Sequence, residues 1–433
     1  MLRKARTVLA SAPEDPAPYE IARQEWWFVC IWTAILLAVA AAPYVDGYAR
    51  AEPGWSFTGF VGAYHNDYNS YLAWMRQARD GHLLFKDLFT AEPHGRVFFH
   101  PLFWLMGTSA RVLHVQLLAV WHVVQVLAGV LMVFTIYRFC AHFVARRSSR
   151  RLALVLATSA AGLGWLTNPS IDTPWIERPI DLWLAEANGL RGLVTSFFTL
   201  PLALSLLLLS MLHALRFFRD RRRKDGLLGG VFALALAATH QYDMVTLYAV
   251  LGVYTLFALR RRLAGLAVTV GISLPFVIYS VAVVSLDPVF SLHKASAMES
   301  PTVLSYILGW GLPFFAAAIA LATPAVRRAG RDVDFLAVFL CVGLVLLALP
   351  IGFQRKLTWG LHPAMCLLCA LLVTTAVERI TKHRGSPMAP RVVQTAMLVA
   401  FSAVCAVGSA AFLRSLLERN AQPSPGDYTP AHK

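Results

Sequence analysis

Residues 64–87 read YHNDYNSYLAWMRQARDGHLLFKD, and their first turn gathers an imidazole, an amide and a carboxylate: His65, Asn66 and Asp67. Asp67 has two readings. It can cap the helix that follows, or it can take a proton from an attacking hydroxyl as a general base. Glu92, His94 and His100 add polar groups further along the same stretch. Carboxylates and imidazoles are also the ligand types of a divalent ion such as Mg or Mn, although no pair here has a diagnostic metal spacing. The segment THQYD carries His240, Tyr242 and Asp243, and the segment FQRKLTWGLHP carries the adjacent cations Arg355 and Lys356. Cations of this kind either clamp a phosphate or snorkel to lipid headgroups. Glu186 and Arg191 stand in a further polar stretch, 168–192.

The elements that must position these groups are built for lipid. Of the 433 residues, 57% are hydrophobic and only 15% charged, and the mean hydropathy is +0.57. Apolar runs such as IWTAILLAVAAAPYV and LPLALSLLLLSMLHAL approach the ~20 residues that cross a bilayer as a helix. Hydropathy predicts about eleven spans, at 27–45, 115–140, 151–167, 192–217, 227–241, 243–259, 263–285, 302–322, 333–352, 360–377 and 391–412. The fold class is therefore an all-α polytopic membrane protein. The fifth and sixth spans are short, and the HQYD between them marks a hairpin or a broken helix.

The net charge of +15 would suit nucleic acid, but the basic residues sit in short clusters between apolar runs. RRSSRR, RFFRDRRRKD and RRAGR have the form of cytoplasmic loops, which orient the chain with its amino terminus in and its carboxyl terminus out. No nucleic-acid partner is expected. On this topology 1–26 is a cytoplasmic segment and 27–412 the transmembrane domain, with 46–114 as its first extracytoplasmic loop. Residues 413–433 form an outer tail expected to be disordered. The six cysteines lie in or beside apolar spans, so Cys366 and Cys369 read as small buried side chains despite their CxxC spacing. The charged, Pro-rich first 25 residues lack an apolar signal core, so the first span is expected to be retained.

Within the first loop, Asn66 or Asp67 can start a helix and Gly81 can end it. Tyr68, Tyr71, Leu72 and Met75 recur at helical spacing and make an apolar face. Such a helix is expected to lie along the membrane with its aromatics at headgroup level. VFFHPLFWLMGTSARVL reads as a second interfacial or re-entrant helix.

In their order and placement, the motifs DYNSYLAWMRQARDG, TAEPHGRVFFHPLFWLMG, DLWLAEANG, THQYD and QRKLTWGLHP resemble those of poorly characterised bacterial members of the GT-C glycosyltransferase superfamily. The resemblance covers most of 27–377. It implies a multi-pass protein of the bacterial inner membrane that moves a sugar from a polyprenyl-phosphate donor to a glycan, lipid or protein acceptor on the outer side. It also implies that Asp67 is the base. Where such enzymes often have paired acids this chain has HND, so a second carboxylate must come from elsewhere, with Glu92 the first choice. His65, Asn66, His94, Glu186, Arg191, His240, Tyr242 and Asp243 are then the expected substrate-binding groups, and Arg355 and Lys356 the donor-phosphate clamp. Two other classes stay open: a lipid or solute transporter or flippase, and a catalytically silent GT-C-like scaffold.

Overall fold

The computed structural model describes residues 20–61, 65–166, 189–195, 198–258, 263–295, 299–358, 360–382, 389–422 and 427–430. In chain order the helices begin with α1 (Arg23–Ala49), α2 (His65–Arg79), α3 (Pro101–Leu113), α4 (Leu117–Phe143), α5 (Arg147–Ser159) and α6 (Gly189–Val194). Next come α7 (Thr199–Asp220), α8 (Arg223–Thr239), α9 (Asp243–Ala258), α10 (Leu263–Leu286), α11 (Val303–Trp310) and α12 (Leu312–Ala322). The last four are α13 (Pro324–Ala329), α14 (Val333–Leu347), α15 (Leu361–Lys382) and α16 (Ala389–Ala421). Two short strands, β1 (Trp55–Phe57) and β2 (Tyr428–Pro430), pair antiparallel with Ser56 opposite Thr429.

Each of the eleven hydropathy segments is helical over most of its described residues. Among the described residues, six helices are long and apolar enough to cross a membrane. The pair α11–α12 makes a seventh if its two halves, bent by 91°, are one span. The chain is thus a polytopic all-α membrane protein. α1 shows how such a helix sorts its residues. Trp27, Ile31 and Ile35 are exposed on one side, while Val29, Thr33, Leu36 and Ala40 are buried on the other. An apolar surface on both sides is what a helix between lipid and protein requires.

The two ends of the bundle differ in chemistry. At one end the basic turns converge: Arg150 pairs with Glu25 at 3.1 Å, Arg146 with Glu378 at 2.8 Å, and His142 with Asp332 at 3.0 Å. At the other end sit the first loop, the α8–α9 break and a 3₁₀ turn at Gln354–Thr358. The β1–β2 pair ties the chain's last described residues to the first loop at this loop end, so the start of α1 and the carboxyl tail lie at opposite ends.

Two expectations are corrected. The tail is ordered where it is described: α16 runs to Ala421, and Tyr428 in β2 donates from its hydroxyl to the Gly47 carbonyl at 2.9 Å. The helix α2 does not offer its aromatic face to headgroups. Tyr68 and Met75 are fully buried, packed in a local core with Phe103, Met106 and Trp121. Proximity to α3 explains this, because a Cβ on Gly107 would fall 2.2 Å from the Met75 carbonyl oxygen. With 13 residues, α3 is too short to cross a bilayer, and its exposed Leu105, Val112 and Leu113 suit an interfacial helix.

Candidate functional site

α2 begins at His65, so Asp67 is a first-turn residue and not the N-cap. A carboxylate there still gains from the helix dipole. The helix stops where expected: Gly81 has φ +98°, and His82 N–H donates to the Gln77 carbonyl at 3.0 Å. These two ends hold Asp67 at the loop end on a helix anchored by buried Tyr68 and Met75.

Asp67 touches solvent, yet the surrounding protein removes enough water to push its carboxyl above the ordinary range, while Lys356 draws it partly back. Lys356 comes from the 3₁₀ turn between α14 and α15, far away in the chain. Its Nζ lies 4.0 Å from the centre of the Tyr242 ring, a cation–π contact. Tyr242 also packs on Phe353 at 5.1 Å and on His240 at 5.4 Å. On the other side Tyr71, one turn after Asp67, has its phenol pKa raised by burial and by the nearby Asp67 and Tyr242. Three chain segments thus meet around one carboxylate and one ammonium. The third is the break between α8 and α9, where His240 Nδ1 lies 2.9 Å from Asp243 Oδ2.

Other expected site residues fall elsewhere. Glu92 and His94 belong to one turn of the first loop, where the His94 ring also meets Phe290 edge-on at 6.4 Å. There His94 Nδ1 donates to the Glu92 carbonyl at 2.8 Å, and Asp87 N–H donates to His94 Nε2 at 2.9 Å. The turn lines a pocket of about 360 Å³ with Lys86, Asp87, Thr90, Glu92 and His94. The cation that acts on the Asp67 carboxyl is Lys356. Arg191 lies over the Phe412 ring at 5.5 Å, between α6 and α16. Arg355 shares the 3₁₀ turn with Lys356, and its carbonyl accepts from the Thr358 hydroxyl at 3.0 Å. Glu186 and the side chains of His65 and Asn66 lie outside the described residues.

Over 93% of its length the chain superposes on the archaeal oligosaccharyltransferase AglB from Archaeoglobus fulgidus, solved with an inhibitory peptide and a dolichol-phosphate. The TM-score is 0.52 and the identity 14%. This chain has a GT-C-like fold. It spans 57% of the AglB chain. The mycobacterial arabinofuranosyltransferase AftD aligns at a TM-score of 0.49 and 15% identity, over 96% of this chain and 29% of that one. No protein-family model and no curated protein sequence matches the chain.

Among the described residues of this GT-C-like chain, no three His, Cys, Asp or Glu side chains form a metal-binding group. Tyr71 joined the cluster without having been singled out for it. The i, i+4 relation of Asp67 and Tyr71 puts both on one helix side, a signal masked by reading Tyr71 as part of an apolar stripe.

Proposed function

We propose that this protein is a membrane glycosyltransferase that moves a sugar from a polyprenyl-phosphate donor to a hydroxyl- or amide-bearing acceptor at the loop end. The observation that carries the reading is the convergence of Asp67, Tyr242 and Lys356 from three distant segments of a GT-C-like fold. The dolichol-phosphate held by AglB supports a lipid-linked donor. In the reaction, the acceptor attacks the anomeric carbon and Asp67 takes its proton. The bond from that carbon to the phosphate oxygen breaks, and its electron pair leaves with the phosphate. Lys356, with Arg355 on the same turn, offsets the charge that develops there. Tyr242 holds the ammonium in place through its ring face. By the positive-inside pattern the loop end is extracytoplasmic, in a bacterial inner membrane.

The test is transfer of radiolabelled sugar from a membrane lipid extract by purified protein. Asp67→Asn is expected to fold normally and to lose activity by about 10²–10⁴-fold. Full activity in that variant would remove Asp67 from the role. One feature favours a transporter instead: the 91° break at Gly311 between α11 and α12, since broken helices line transporter sites. Uptake of lipid or solute into proteoliposomes, without sugar transfer, would select that second reading.

A further inference from the structure

The segment that leads into α2 is held by the far end of the chain. Thr58, just past β1, turns both of its donors on one acceptor: its N–H and its hydroxyl reach the Asp427 carbonyl at 3.0 and 3.1 Å. Phe57 packs over Gly47, where a Cβ would fall 2.8 Å from its ring, and against the rings of Tyr48 and Tyr428 at 5.1 and 5.6 Å. The tail side is pinned in turn. Asn420 Nδ2 donates to the Pro43 carbonyl at 2.7 Å, and Arg419 meets Asp427 at 3.4 Å. With the bond from Tyr428 to the Gly47 carbonyl, the ends of α1 and α16 and both strands make one fixed corner at the loop end.

A pair of short strands is marginal by itself. This one buries little, since Trp55 is 47% exposed and Thr429 and Pro430 face solvent. What the pairing fixes is position. Beyond Thr58 the chain runs through Phe60 and Val61 toward α2. The Phe60 ring stacks on Tyr68 at 4.5 Å with 16° between the planes, and the Tyr68 hydroxyl donates to the Val61 carbonyl at 3.1 Å. Tyr68 directly follows Asp67. The middle of α2 is set by α3 through Gly107 and Met75, whereas its first turn is set through the entry segment that the tail grips.

We propose that the carboxyl-terminal strand is a strap that positions Asp67. Thr58, Asp427 and Tyr428 act as positioning residues: through the Phe60–Tyr68 stack they fix the first turn of α2 against the 3₁₀ turn that carries Lys356. This rests on the transferase reading. Donor binding through Lys356 and Arg355 does not depend on the strap, whereas proton abstraction by Asp67 does.

The experiment compares wild type with a chain ending at Gly426 and with the milder double variant Thr58→Val, Tyr428→Phe. It measures kcat and KM for sugar transfer, thermal unfolding in detergent, and amide hydrogen exchange. The shortened chain should keep its melting temperature within a few degrees and its KM for the donor, while kcat falls about 10²-fold, the scale of a small misplacement of a reacting group. Exchange should rise over residues 58–68 and stay unchanged in the spanning helices. The double variant should show the same pattern more weakly. In protein whose native cysteines are replaced, Ser56→Cys with Thr429→Cys joins two opposed residues. Oxidation of that pair, added to the double variant, should restore kcat, and reduction should remove it again. A shortened chain with wild-type kcat, or one whose kcat falls only in proportion to lost folded protein, would overturn the strap and leave the transferase reading intact. Faster exchange over 58–68 on shortening, with no sugar transfer by wild type, would overturn that reading and leave the strap.

Discussion

At the scale of single residues, burial and Lys356 act on the Asp67 carboxyl in opposite directions. Burial raises its pKa and the ammonium lowers it, so its protonation depends on both. Removing the ammonium with Lys356→Met should move the acid limb of the pH–rate profile to higher pH, because more carboxyl is then protonated at neutrality. The same variant should weaken donor binding, which a titration with polyprenyl phosphate reads separately. His100 leads to a stability prediction. Its pKa falls from 6.5 to about 4 on folding, mainly through burial. The unfolded chain therefore binds more protons between those values, and this contribution to stability is lost as pH drops through that window. Thermal unfolding in detergent should show a decline below pH 6.5 that is shallower in His100→Phe.

At the scale of elements, the first loop holds its shape through one close helix contact. Gly107 of α3 sits against the Met75 carbonyl of α2, where any side chain would collide with backbone. Gly107→Val should displace α2 and with it Asp67, at a cost of about 1–3 kcal/mol. A fall in melting temperature together with lost activity checks this. The 3₁₀ turn that carries Lys356 is fixed differently. Leu357 and Thr358 are fully buried, and Phe353 packs against Tyr242. The catalytic proposal thus depends on turns and short helices held by the bundle, since none of them could keep this geometry alone.

At the scale of the whole molecule, the basic end is stitched by a buried ion pair. Glu25, on α1, accepts from Arg150 on α5 and from the Tyr137 hydroxyl on α4, at 3.1 and 2.5 Å. Both charged side chains are almost wholly buried. Glu25→Ala leaves the Arg150 cation without its carboxylate, and a loss of about 3–5 kcal/mol is expected in denaturant or thermal unfolding. Orientation can be read by labelling. After replacement of the native cysteines, a cysteine at Glu52 should react with an impermeant maleimide in intact cells. One at Arg222 should react only after the membrane is opened. The reverse pattern would invert the topology.

Composition already determined an all-α polytopic membrane chain, because insertion responds to hydropathy summed over whole spans. The ends of α2 were also legible at Gly81 and near Asp67, since caps and glycine stops act locally. The influence of Lys356 on Asp67 was not legible in the sequence, because it arises from packing of segments far apart in the chain. The buried face of α2 and the pairing of the tail with β1 were likewise invisible, because helical periodicity says which residues turn inward but not what they meet. The meeting of residues 67, 242 and 356 depends on how the helices of the bundle pack. That packing is a property of many weak side-chain contacts taken together, with no short motif that announces it.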